Sequence, residues 1–251
     1  MQIAKILKIV IIIILVVSAV IFINSRKSNK SDMFLNTSDN KKIAANLYKV
    51  ENPKGWLILV HMMPATKESW KEFAEAMREL GYESLAIDLR GHGESEGGPD
   101  GYQKFSDAEH QNGIYDLEAA WEFLKSAGAK PEKTALIGAS IGANFVLEFI
   151  TKNPDFKKAV FLSPGFDYRG IKTEPLVLKF KKDQSAVFAT SKDDGNNAAE
   201  VLRLYEKSPK AMNKHIIIYD NGGHGTAMLK AKDELDLTEA IKKFLENGII
   251  N

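Results

Sequence analysis

Beyond residue 32 the chain alternates short apolar runs with stretches of helical periodicity. Trp56 to Val60 (WLILV) is apolar at every position, the pattern of a strand buried on both faces. Glu83 to Leu89, Thr134 to Gly138, Lys158 to Leu162, Ser185 to Thr190 and Lys214 to Tyr219 read as further strands. Ahead of them, Met33 to Val50 reads as two short strands about a turn at Asp39-Asn40. Helical spacing fills the intervals. Thr66 is placed to cap a helix that runs to about Leu80 and stops at Gly81. Ala108 to Ala127 carries Ile114, Leu117, Ala120, Trp121, Phe123 and Leu124 at helical spacing and stops at Gly128. Ser140 to Ile150, Ala198 to Tyr205 and Leu235 to Asn247 are helical as well. This rhythm predicts an α/β fold, a mostly parallel central sheet with helices on both faces. No internal repeat follows residue 32, and the interval between Leu162 and Ala186 is too short for a sizeable inserted lid.

The N-terminus follows a different pattern. Lys5 and Lys8 precede an uncharged run from Ile9 to Ser25. As a helix, Ile9 to Ile23 would span about 22 Å against a hydrocarbon core of about 30 Å, with Ile6 and Leu7 extending it if Lys8 snorkels. A run apolar on every face is not the stripe of a helix packed on a domain. The expectation is an N-terminal hydrophobic helix acting as an uncleaved signal anchor over residues 1–25, a polar tether over 26–32 and a globular domain over 33–251. The membrane is then a partner through the N-terminal segment, with the domain outside the cytoplasm. Lys5 and Lys8 are answered by Arg26, Lys27 and Lys30, so charge leaves the orientation open. A signal peptide cut after Ala19 or Ser25, giving a secreted protein, is the alternative.

Composition narrows the chemistry. The 34 basic and 33 acidic residues leave a net charge of +1, with no footprint for nucleic acid. Without cysteine the chain has no disulfide, thiolate metal ligand, cysteine nucleophile or lipidated cysteine. Asp183, Asp193, Asp194, Asp233 and Asp236 lack metal-ligand spacing, so no metal and no cofactor are expected. Oligomeric state is not specified by any of these patterns.

One serine stands out. Ser140 lies in G-A-S-I-G where a strand ends at Gly138 and a helix begins at Ser140 or Ile141, the context of a nucleophile elbow. A Cβ at Gly138 or Gly142 would strike the neighbouring strand or helix, and the helix N-terminus supplies free N–H groups where an oxyanion would form. Its base is His224, in the glycine-rich DNGGHGTAML loop after the strand Lys214–Tyr219. His61 and His92 follow strands, His110 falls on a polar helix face and His215 begins a strand. The acid that orients the base is Asp193 or Asp194, after the strand Ser185–Thr190, with Asp194 preferred as one residue further into the loop. Phe166, Asp167 and Tyr168 lie on a loop at the same sheet edge, placed to line a substrate cleft; an ordinary loop with a buried aromatic is the competing reading. Met62, Met63 and Trp70 are placed to form an apolar acyl pocket or to pack in the core.

The chain resembles the α/β-hydrolase superfamily from about Met33 to its end, as a compact, lidless, serine esterase-like member. The resemblance is carried by GASIG, LVHMMPATKESW after one strand, DLRGHGES (Asp88 to Ser95) after the next and NGGHG near the C-terminus. It implies a Ser-Asp-His triad, an oxyanion hole from the backbone N–H groups of Ile141 and Met63, and a small-molecule ester or acyl substrate. The chain departs from the family where many members have His-Gly and it has His61-Met62. Its elbow serine separates it from dienelactone hydrolases (Cys) and haloalkane dehalogenases (Asp). The implied activity is hydrolysis of carboxylic esters; a peptidase, thioesterase or acyltransferase with the same triad, or a non-catalytic membrane-tethered binding protein, are the alternatives.

Overall fold

In the computed structural model, which describes residues 30–231 and 235–250, the main-sheet strands are β1 (Lys30–Asn36), β2 (Lys42–Tyr48), β3 (Gly55–Val60), β4 (Tyr82–Ile87), β5 (Thr134–Ala139), β6 (Lys158–Leu162), β9 (Ser185–Ser191) and β10 (Asn213–Tyr219). Two short strands, β7 (Asp167–Tyr168) and β8 (Ile171–Lys172), pair only with each other. The helices are α1 (Lys71–Glu79), α2 (Asp107–Gln111), α3 (Ile114–Ser126), α4 (Ile141–Lys152), α5 (Glu174–Val177), α6 (Asn197–Lys207) and α7 (Leu237–Asn247). The expected N-terminal anchor and the first part of the tether lie outside the described residues. Among the described residues no helix is long and apolar enough to cross a membrane.

The main sheet has the order β1-β2-β4-β3-β5-β6-β9-β10. β2 runs antiparallel to β4, and every pair from β4 across to β10 is parallel. Strand side chains alternate between two core layers. Ile58, Val60, Leu136 and Phe161 pack with α3, α4 and α6 on one face. Leu57, Leu59, Ile137 and Val160 pack with α1 and α7 on the other. After β3 the chain steps one way to β4 and then crosses to β5 on the other side. The strand order therefore reverses at β3 and opens a crevice beyond its carboxyl end. The loops after β3, β5, β6, β9 and β10 share that edge.

Local details depart from the sequence expectation for steric and electrostatic reasons. The helix expected over Ala108 to Ala127 is broken into α2 and α3 at Asn112-Gly113. Ser106 and Glu109 form a reciprocal cap on α2. A Cβ at Gly113 would lie 2.6 Å from the Phe145 ring, so α3 starts where only glycine fits. His110, expected on a polar face, is buried. Thr66 does cap, but onto a tight 3-10 turn, Lys67–Trp70, ahead of α1. Lys67 is held there because its backbone N–H and its ammonium both donate to Asp88, at 2.6 and 2.8 Å. Trp70 is fully buried and packs edge-on to Phe73 in the core rather than lining a pocket. The last helix begins two residues later than expected, capped by Asp236 through Glu239 N–H at 3.0 Å, and ends at Gly248 with φ of 75°.

Candidate active site

Ser140 joins β5 to α4 with φ of 53° and ψ of −121°, a conformation that costs a non-glycine residue energy and needs support from its surroundings. The support is visible. Ser140 N–H donates to Leu162 O at 2.8 Å, and its carbonyl accepts from Ala143 and Asn144 N–H at 2.9 and 3.2 Å. A Cβ at Gly138 would lie 2.3 Å from Gly142 O, and one at Gly142 would lie 2.5 Å from Val60 O. The two glycines thus let helix, strand and neighbouring strand close on the serine. Ile141 is the first residue of α4, so its N–H has no carbonyl within the helix and faces the positive end of the dipole.

The loops after β9 and β10 bring the acid and the base together. His224 Nδ1 lies 2.6 Å from Asp194 Oδ2, with the carboxylate side chain 16 % exposed and the imidazole 34 % exposed. With Asp194 on Nδ1, that nitrogen carries the hydrogen and Nε2 is left as the acceptor. Asp193 has a different job. It accepts from the Ser191 hydroxyl and from Gly223 N–H at 3.0 Å, and Gly222 N–H donates to Ser191 Oγ at 2.7 Å. Asp193 and Ser191 therefore staple the acid loop to the histidine loop, and Asp194 alone of the two reaches the imidazole. On the other side of His224, Gly225 N–H donates to the buried Ser163 Oγ at 3.0 Å. No hydrogen bond joins His224 Nε2 to Ser140 Oγ among the described residues; such contacts commonly tighten only when substrate is bound.

Opposite this pair runs the loop after β3. Leu89 N–H donates to His61 Nε2 at 3.0 Å, so Nδ1 carries the hydrogen and donates to Met62 O at 2.9 Å. In the trans Met62-Met63 peptide the carbonyl and N–H point oppositely, so fixing Met62 O turns Met63 N–H away from His61. Burial holds His61 well below the ordinary histidine range, at about 4, with His92 adding to the effect, so the ring stays neutral in its acceptor role. Met62 reaches across to the histidine loop. Its Sδ lies 3.9 Å from Thr226 Oγ1, and a Cβ at Gly225 would meet it at 2.6 Å.

The segment after β6 adds an aromatic. The β7–β8 hairpin presents Tyr168, whose ring lies edge-on to His224 with centroids 6.5 Å apart. Asn197 Nδ2 donates to its hydroxyl oxygen at 3.2 Å. Burial pushes the phenol up to about 12, reinforced by the charges of Asp194 and Glu200, while the neighbouring Ser140 hydroxyl and Asn197 work against the rise. Phe166 turns elsewhere: its ring sits beneath Arg203 at 5.4 Å, and its N–H donates to Glu200 at 2.9 Å. Among the described residues no group of three or more His, Asp or Glu is set to hold a metal ion.

A family model described as serine aminopeptidase, S33, matches residues 51–215, well over half of the chain. The chain belongs to this hydrolase family. The matched span includes Ser140 and Asp194 and stops short of His224. Solved structures share the α/β-hydrolase fold at low identity. An esterase of Pyrococcus furiosus superposes with a TM-score of 0.70 at 19% identity, covering 89% of this chain and 92% of its own. An esterase from a Rhodococcus species gives 0.67 at 15% identity, over 86% and 99%. A dienelactone hydrolase from Anabaena variabilis gives 0.66 at 15% identity, over 89% and 99%. Comparison with curated proteins gives no match.

In this hydrolase several supporting residues carry no signature in one dimension. Ser163, with φ of 49°, lies in an ordinary serine-proline sequence, yet its hydroxyl anchors the residue after His224. Asn144, one turn into α4, takes Gly165 N–H at 3.1 Å and gives its amide to Gly165 O and Ile171 O at 3.1 and 3.0 Å. The Tyr168 hairpin thus hangs from the same helix that begins at Ser140. Asn144 is fully buried, and these bonds satisfy its amide there.

Proposed function

We propose that the hydrolase is a serine esterase in which Ser140 is the nucleophile, His224 its base and Asp194 the partner that orients and stabilises the imidazole. The observation that carries the reading is the 2.6 Å contact between Asp194 Oδ2 and His224 Nδ1, made by two separate strand-end loops beside the strained serine. Ser140 Oγ attacks an ester carbonyl as its proton passes to His224 Nε2. The oxyanion forms toward Ile141 N–H at the head of α4 and Met63 N–H, whose peptide is held by His61. Collapse breaks the bond to the alcohol, which leaves with the proton from Nε2. Water then attacks the acyl carbon as His224 Nε2 takes its proton, and collapse breaks the bond to Ser140 Oγ, which recovers that proton as the carboxylic acid leaves.

Carboxylic esters are favoured as substrates because the structural neighbours include esterases. The family's aminopeptidase description supports a second reading, amide hydrolysis by the same groups. Turnover of short p-nitrophenyl esters against aminoacyl p-nitroanilides, with the full-length chain, separates the two. The expected result is ester turnover and fluorophosphonate labelling at Ser140, both abolished in Ser140→Ala. A Ser140→Ala chain that labels and turns over like the parent overturns the mechanism.

A further inference from the structure

We propose that Tyr168 is a further catalytic residue, a hydrogen-bond donor whose O–H is delivered to the oxygen of the departing alcohol. The proposal rests on the ester-hydrolase reading above and adds a group to it.

The direction of the Tyr168 hydroxyl follows from Asn197. Thr190 Oγ1 donates to Asn197 Oδ1 at 2.8 Å, and Asn197 Nδ2 donates to Pro164 O at 3.0 Å. A carbonyl oxygen only accepts, so the amide's orientation is fixed and its nitrogen faces Tyr168 as a donor at 3.2 Å. The phenol oxygen therefore accepts from Asn197, and its own hydrogen is left for a partner on the far side from Asn197, where the ring meets His224 edge-on and the Ser140 hydroxyl is near enough to lower the phenol's pKa. The ring is held flat on the chain: a Cβ at Gly165 would come within 2.4 Å of Tyr168 Cζ. Asn144 and Thr173 fix that glycine in turn, with Thr173 Oγ1 donating to Gly165 O at 2.7 Å.

Which substrate oxygen the O–H meets follows from the strand order. The N–H groups of Met63 and Ile141 follow β3 and β5. Tyr168 follows β6, on the side of β9 and β10, and its ring meets His224 edge-on. Ser140 stands between the two sets. The carbonyl oxygen turns toward the backbone donors, and the alcohol oxygen turns toward His224 and hence Tyr168. As the bond between carbonyl carbon and alcohol oxygen breaks, negative charge grows on that oxygen, and the Tyr168 hydrogen bond strengthens while His224 Nε2 supplies the proton. Tyr168 keeps its own proton throughout, as a phenol titrating near 12 does at any working pH. In deacylation the attacking water occupies the same place.

A donor of this kind matters most when the leaving group is poor. Full-length Tyr168→Phe is to be assayed for kcat/KM across acetate esters from p-nitrophenyl to ethyl, alongside the rate of fluorophosphonate labelling. The expected result is a loss on the order of 100-fold in kcat/KM for the ethyl ester, the scale of losing one transition-state donor, with p-nitrophenyl kcat/KM and the labelling rate far less affected. Asn197→Leu keeps the phenol but removes its guide, and is expected to give the same graded loss, smaller in size. It serves as the test if Tyr168→Phe does not fold. An equal loss across the ester series, or none, with labelling intact overturns the role of Tyr168 and leaves the triad standing. A parent chain that neither labels nor hydrolyses any ester overturns the reading on which the proposal rests.

Discussion

At the scale of single residues, the site is governed by how little room its backbone has. Gly142 lies so close to the end of β3 that an added methyl would sit 2.5 Å from Val60 O and 2.6 Å from His61 O. Those carbonyls lead directly into the loop that presents Met63 N–H. Gly142→Ala is therefore expected to cost about 1–3 kcal/mol of stability through overpacking and to lower kcat more than it raises KM, measured by urea unfolding and ester kinetics. The acid pair offers a sharper contrast. Asp194 holds the imidazole tautomer, so Asp194→Asn should reduce kcat by roughly 10⁴-fold, the scale for losing that orientation in a triad. Asp193→Asn keeps an oxygen for Gly223 N–H and should retain most of the parent kcat. Equal losses in the two variants would contradict the assignment of Asp194. In one dimension the adjacent carboxylates differ only in their place along the loop, which favours Asp194; in three they separate because Ser191 and Gly223 claim Asp193.

At the scale of elements, loops are locked to one another by buried polar side chains rather than by apolar contact. Lys67, after β3, and Asp88, at the end of β4, have side chains 4 % and 0 % exposed and are 2.8 Å apart. Asp88 also accepts from Lys67 and Glu94 N–H. Lys67→Met would strand the carboxylate in the core and is expected to cost about 3–5 kcal/mol, read as a lowered denaturant midpoint. Asn144→Leu keeps the volume but releases Gly165 and Ile171, each left with an unmet backbone group at about 1–3 kcal/mol. Its expected signature is proteolytic cleavage within 165–172 while the rest of the domain stays protected. The main-sheet strands β3, β4, β5, β6, β9 and β10 were legible in sequence because each is apolar over most of its length, and the elbow because its glycines mark a turn. The broken helix at Asn112-Gly113 and the β7–β8 hairpin were not, and Trp70 was open between pocket and core. Each is decided by a neighbour distant in sequence: Phe145 for Gly113, Asn144 for the hairpin, and Phe73 with the sheet for Trp70.

At the scale of the molecule, three histidines with no direct part in the proposed chemistry lower stability in acid, offset in part by Asp116, whose burial raises its carboxyl to about 6. His61 and His92 meet edge-on at 4.9 Å, His92 stacks on Tyr102 at 4.1 Å, and His110 packs edge-on against Phe105 at 5.5 Å. Burial lowers all three pKa values, His61 to about 4; Lys67 acts in the same direction on His61 and Asp88 opposes it. Each folded value lies below the unfolded value of about 6.5, so as pH falls the unfolded chain binds protons first. Their contribution to stability is complete above pH 6.5 and is lost progressively as pH falls toward about 4. Each proton taken up adds about 1.4 kcal/mol per pH unit to the slope. Asp39 acts in a separate window. The hydrogen bonds from Arg90 hold it at about 2, against an ordinary value of 3.8, so its contribution fades only below pH 4. Urea midpoints measured from pH 8 to pH 3 are therefore expected to stay level down to about 6.5 and then fall in two stages. His92→Phe, which keeps a ring against Tyr102 but cannot bind a proton, should flatten the first stage and leave the second untouched, whereas Asp39→Asn should do the reverse. A first stage unchanged in His92→Phe would assign the acid sensitivity to groups other than His92.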